Sequence, residues 1–225
     1  MKIIDKILEI ISRIFKKCPK MIEAPKNDGK LENIETIIDE KISNKNISKE
    51  EAITQILKGI GCEKEIFPKL DISNIDSLNF RKNIEFLLKF KYSEFELAKI
   101  FTQNPKIFKI QFEDLENRVK ELRQITDYQT IKKIIFNNPY VLTNELNLNE
   151  LIDVLEKYEI DSKSQAMIFK YNSNIFNLSA EKLENSLDKI YNIIENKKEL
   201  KKVIISEPIL VGMENGIMIS NILNG

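Results

Sequence analysis

Ten basic residues between positions 89 and 133 are the part of this chain best suited to chemistry: Lys89, Lys91, Lys99, Lys106, Lys109, Arg118, Lys120, Arg123, Lys132 and Lys133. Lysine and arginine neutralise phosphate, and the counterions released when they do so drive association with nucleic acid. The chemistry on offer is electrostatic capture of a polyanion. Residues 78–133 hold 12 basic and 8 acidic residues, whereas 134–225 hold 9 and 13. The whole chain balances at 35 against 35, so its net charge exerts no long-range pull on nucleic acid or acidic lipid.

Seven of these residues form the candidate phosphate-binding set: Lys99, Lys106, Lys109, Arg118, Arg123, Lys132 and Lys133. Lys99 and Lys133 stand at equivalent points of an internal repeat, and Lys202 is a third. A groove that follows a regular backbone asks for such spacing. The same residues also read as an ordinary solvated helix face. Arginine is scarce, at Arg13, Arg81, Arg118 and Arg123 only. Bidentate reading of guanine prefers Arg, so base-specific DNA recognition is disfavoured.

Nothing in the chain assembles a catalytic site. Histidine is absent, which removes the commonest general base, the commonest metal ligand and the Ser–His and Cys–His dyads. Cys18 and Cys62 have no metal-ligand spacing, and two cysteines in 225 residues are not a disulfide scaffold. A reducing, cytoplasmic setting follows. Cys62, beside Gly61, is open to exposure but lacks a basic activator and reads as inert. The acid pairs Glu50-Glu51 and Glu113-Asp114 belong in first helical turns, where they favour the helix dipole. The expectation is a non-enzymatic protein with no cofactor, no metal and no small-molecule substrate. Most of the 12 Phe and 6 Tyr sit on apolar helical positions and read as core, while Tyr92, Tyr128, Tyr140 and Tyr171 lie near helix ends and are less committed.

The elements that position these residues are helices in repeat. ELAKIFTQNPKIF (96–108), TIKKIIFNNPYVL (130–142), KSQAMIFKYNSNIF (163–176) and ELKKVIISEPILV (199–211) share one register. Pro105 and Pro139 are 34 apart, Ser173 lies 34 further on, and Pro208 follows after 35. Such a period means stacked supersecondary units, because one unit cannot bury its apolar face alone. Ser93, Asp127, Asp161 and Asn196 hold the same position in each copy and are favoured N-cap types. Ser93 with Glu96 completes a capping box. After the caps, Ile100, Ile134, Ile168 and Val203 align, as do Phe101, Ile135, Phe169 and Ile204. Leu97, Ile131 and Leu200 align too, with Gln165 as the exception.

Each such helix should stop before its Pro, which disfavours helical geometry in the preceding residue and donates no N–H. Asn104-Pro105 and Asn138-Pro139 should then open a short turn, with Asn as its cap. A second long helix completes each unit, through Leu115, Val119 and Leu122, then Leu151, Leu155 and Tyr158, then Leu183, Leu187 and Ile190.

Upstream, residues 1–17 read as a mildly basic amphipathic helix, interrupted by Asp5, Glu9 and Arg13 and so neither a signal sequence nor a membrane span. Docking on the chain or on a partner accounts for it better than a membrane surface. Residues 18–30 read as a linker, and 31–77 as a helical region with a capping pattern at Ser48 and Glu51 and a stop at Gly59 and Gly61. The array occupies 78–225, opening with a helix over 79–90. Residues 214–225 have room for one short helix, as a terminal cap or a truncated further unit.

The stretch IEFLLKFKYSEFELAKIFTQNPKIF (84–108) resembles a repeat of the mitochondrial transcription termination factor family, mTERF, and the likeness recurs in 118–142, 154–176 and 190–211. The turn that family members often fill with Leu-Gly reads Lys89-Phe90-Lys91 and Lys157-Tyr158-Glu159 here, and Ser173 replaces Pro. The resemblance implies an all-α, curved solenoid with a groove, and nucleic-acid binding through it. The zero net charge, the scarce Arg and the acidic second half point instead to a protein-interaction module or inhibitor that binds a protein partner.

Overall fold

A computed structural model describes residues 48–62 and 75–212. The expected N-terminal amphipathic helix, the linker, the stripe over 31–46, Cys18 and the C-terminal segment from 214 lie outside the described residues. Among the described residues there are nine α-helices and no strand: α1 (Lys49–Gly59), α2 (Ser77–Leu88), α3 (Glu94–Gln103), α4 (Phe112–Ile125), α5 (Tyr128–Asn137), α6 (Leu148–Lys157), α7 (Ser162–Tyr171), α8 (Ala180–Ile194) and α9 (Lys197–Ser206). Short 3-10 turns follow α3, α5, α7 and α9, over Pro105–Phe108, Pro139–Leu142, Ser173–Asn177 and Pro208–Leu210. The fold is all-α and built from helical repeats.

The caps and stops stand where the repeat register places them. Ser93 Oγ accepts from Glu96 N–H, and the Glu96 carboxylate reaches back to Ser93 N–H, so two otherwise orphaned donors are satisfied. Asp127, Asp161 and Asn196 accept from the N–H of Thr130, Ser164 and Glu199. Ser173 opens its turn without a proline, so the preceding helix end and the buried Ile175-Phe176 pair suffice to set it. The opening helix of the array is shifted from the expected 79–90 to Ser77–Leu88. Asp76 caps it by accepting from Asn79 N–H, and left-handed Lys91 (φ 52°) helps end it.

Lys91 and Glu159 (φ 59°) both adopt, in the turns Lys89-Phe90-Lys91 and Lys157-Tyr158-Glu159, the left-handed backbone that glycine adopts without strain. Ile100, Ile134, Ile168 and Val203 are at most 1% exposed. Gln165, which takes the place of Leu97, Ile131 and Leu200, is buried too, and its Nε2 donates to the Ile160 carbonyl at 2.8 Å.

The described residues fall into two compact units. One comprises the described residues up to Arg123 together with Ile135–Asn144. Phe80, Phe101 and Phe108 cluster in its core, with the Phe108 ring centroid 5.3 Å from that of Phe80 and 4.6 Å from that of Phe101. The other comprises Gln124–Ile134 and the described residues from Glu145. There α6 packs on α8, α8 on α9, and α9 on α7. One aromatic side chain departs from the sequence reading. Tyr92 is fully buried and stacks on Phe90 at 5.9 Å, whereas Tyr128, Tyr140 and Tyr171 are exposed.

Candidate nucleic-acid interface

The N-terminal unit carries five of the seven candidate phosphate ligands, on three elements. Lys99 projects from α3, Lys106 and Lys109 from the turn after it and its end, and Arg118 and Arg123 from α4. Lys106, Lys109 and Arg123 are exposed. Lys99 is half-buried and lies over the Phe136 ring, 4.0 Å from its centroid, a cation–π contact that fixes its ammonium. Arg118 meets Glu121 at 3.5 Å along the same helix. Lys132 and Lys133 belong to the C-terminal unit, both on α5, the first half-buried and the second exposed. Lys202, the third member of the Lys99–Lys133 series, pairs with Glu199 at 2.7 Å.

A cleft of about 350 Å³ opens in the N-terminal unit between Gly61 and the outer face of α3. Phe95, Ala98, Lys99, Thr102 and Gln103 line it, so it joins an apolar wall to one ammonium. Its lining holds no nucleophile paired with a base. Among the described residues no three His, Cys, Asp or Glu side chains converge on a metal position, and no helix is long and apolar enough to cross a membrane. Cys62, open to exposure in the sequence reading, is buried as a free thiol, and burial pushes its pKa up to about 12. The thiolate, the reactive form, is correspondingly suppressed.

Three asparagines have roles that the sequence pattern does not reveal. Asn104 is fully buried, and instead of capping the following turn its Nδ2 donates to the Pro139 carbonyl (3.0 Å) and Thr143 Oγ1 (2.8 Å). Asn172 likewise donates to the Pro208 and Val211 carbonyls, both at 2.8 Å. Asn83 on α2 donates to the Ile107 and Ile110 carbonyls, both at 2.9 Å. Each amide thus forks into a later 3-10 turn or its end and donates there to at least one backbone carbonyl. Asn138 follows the expected role and accepts from Tyr140 N–H. The available signal is the recurrence of Asn before Pro. An Asn in that place is also a cap type, and local sequence does not separate the two roles.

The fourth equivalent position holds Glu207, whose carboxyl is raised above its ordinary pKa by burial. In the C-terminal unit an ionic clasp ties α9 to the turn before α7. Lys197 meets Glu159 at 3.7 Å, and Lys201 meets Asp161. Hydrogen bonds from Lys201 and from the Ser164 N–H and hydroxyl hold the Asp161 carboxyl well below the usual range. Tyr158 donates to Asp188 Oδ1 at 2.5 Å, and burial and this carboxylate push its phenol up.

Residues 116–222 match the family model of mTERF, and the repeats within that stretch are similar to that family's. The matched stretch covers α5 to α9, whereas the sequence likeness quoted from 84–108 lies ahead of it. No curated protein matches the chain.

Proposed function

We propose that these mTERF-like repeats bind nucleic acid through its phosphate backbone, tolerantly of sequence and without catalysis. The observation that carries the reading is the mTERF match over 116–222. The exposed Lys106, Lys109, Arg123 and Lys133 support it, with Lys99 engaged on the Phe136 ring, Arg118 on Glu121 and Lys132 half-buried. Scarce Arg supports contact with phosphate rather than base edges.

The test is a salt titration of labelled single-stranded and duplex oligonucleotides, with the parent and a Lys132→Glu, Lys133→Glu double variant. Removing one phosphate ligand should reduce the steepness of log affinity against log salt by about 0.7–0.9. Absence of binding by the parent at about 50 mM salt, where screening is weak, rejects nucleic acid. A protein partner is the second reading, favoured by the zero net charge and by Phe95, 48% exposed beside the α3 cleft. Under that reading, capture of a defined partner is indifferent to oligonucleotide competitor.

A further inference from the structure

We propose that the outer face of α7 and α9 is a phosphate-backbone contact surface, although it lies in the acidic half of the sequence. The inference rests on the nucleic-acid reading above and assigns it a place in the C-terminal unit. Counting from the caps Asp161 and Asn196, the positions pointing away from the core are the second, fifth, sixth, ninth and tenth. In α7 these are Lys163, Ala166, Met167, Lys170 and Tyr171; in α9 they are Lys198, Lys201, Lys202, Ile205 and Ser206. None of the ten is buried, and none is acidic. The opposite face is packed: Ile168, Phe169, Leu200, Val203 and Ile204 are all at most 1% exposed.

Charge in this unit is sorted by helix layer. α7 and α9 together carry six lysines and one acid, Glu199. α6 and α8 together carry six acids and three lysines. The acids are Glu150, Asp153, Glu156, Glu181, Glu184 and Asp188, all solvent-accessible. Since α7 packs on α9 and α6 on α8, a segment with a net negative sum presents a basic layer and an acidic layer.

Part of the basic layer is already engaged. Lys197 and Lys201 hold Glu159 and Asp161, and Lys202 holds Glu199. Lys163 and Lys198 are exposed and meet no acid among the described residues. Lys170 lies 5.2 Å from the ring centroid of Tyr171, itself 56% exposed. Three ammonium groups are therefore left for an external anion: Lys163, Lys170 and Lys198. No Arg occurs after Arg123, so this face has point charges and no fork for a base edge. It suits a backbone of any sequence.

The experiment uses the full chain and a short homopolymeric oligonucleotide. The parent should bind with an affinity that falls as salt rises. The Lys163→Gln, Lys170→Gln, Lys198→Gln triple variant should lower the salt slope by about 2–3, at about 0.7–0.9 per phosphate ligand. Its loss of affinity should be the same fold for every homopolymer tested. A second readout needs no variant: bound oligonucleotide should protect Lys163, Lys170 and Lys198 of the parent from an amine-acetylating reagent, read by mass spectrometry. If the parent does not bind, nucleic-acid binding and this surface fall together. If it binds, yet the triple variant keeps the parental slope or the three lysines acetylate at the unbound rate, the α7–α9 surface alone is overturned. Should the triple variant misfold, protection in the parent decides the matter.

Discussion

Replacing Asn104 with Asp keeps the side chain's shape and reverses its chemistry. The Nδ2 of Asn104 donates to the Pro139 carbonyl and to Thr143 Oγ1, its Oδ1 has no partner among the described residues, and the residue is fully buried. A protonated Asp keeps one donor and loses the other, a cost of about 1 kcal/mol. An ionised Asp keeps neither and turns a charge toward the Pro139 carbonyl. Burial without a positive partner raises a carboxyl pKa, by about 3–5 units in the extreme. A rise of about two units, at about 1.4 kcal/mol each, adds roughly 3 kcal/mol.

The sign follows from linkage. The folded-state pKa of this Asp lies above its unfolded value of about 3.9, so its deficit is smallest below that pH. The deficit grows as pH rises through the unfolded value and levels off above the folded-state one. Asn104→Asp should therefore be about 1 kcal/mol less stable than the parent near pH 3.5, and about 4 near pH 8. Urea denaturation at several pH values measures this, as a difference from the parent at each pH because Glu207 titrates in both proteins. Asn104→Ala serves as a control whose deficit should not change with pH. A pH-independent deficit for Asn104→Asp, or parental stability near pH 8, refutes the account of Asn104 as a buried donor.

Ile100→Ala and Ile134→Ala, at fully buried positions of the stripe, should each cost about 2–5 kcal/mol in a thermal or urea melt; parental melting would mean that the stripe does not pack. Lys91→Gly and Glu159→Gly remove left-handed strain of about 1–2 kcal/mol and add about 0.5–1 of unfolded-state entropy. Each should thus stabilise by up to about 1.5 kcal/mol, and destabilisation by both would contradict the strain argument. Cys62 should resist alkylation in the folded chain near pH 8 and react once the chain is unfolded, with peptide-resolved mass spectrometry separating it from Cys18. Fast labelling of native Cys62 would contradict its burial.

What the sequence declares well is local. A cap acts within three residues and a proline within one, so Ser93, Asp127, Asp161 and Asn196 and the breaks at Pro105, Pro139 and Pro208 can be read from neighbours alone. Asn104 and Asn172 are different, because their partners lie 35 to 39 residues onward and the local pattern offers a second, equally good use for them. Tyr92 escapes a local reading for a similar reason. It stands beside the Ser93 cap, where a ring is free to point outward, and only packing decides that it is buried. The candidate site is harder still. Summing charge over windows of sequence mixes faces, so the deficit of 134–225 conceals Lys163, Lys170 and Lys198. Sorting the same residues by their distance from each cap separates the two faces.

The layering of charge in the C-terminal unit gives that unit a dipole, on a chain whose net charge is zero. Such a unit has a preferred orientation for a near partner of either sign. A polyanion turns the α7–α9 layer inward, and a polycation turns the α6–α8 layer inward. Because a dipole's field falls faster with distance than a single charge's, both attractions act at short range and fade with added salt. At neutral pH and low salt the same chain should be held by cation-exchange and by anion-exchange resins, each gripping the opposite side of one unit.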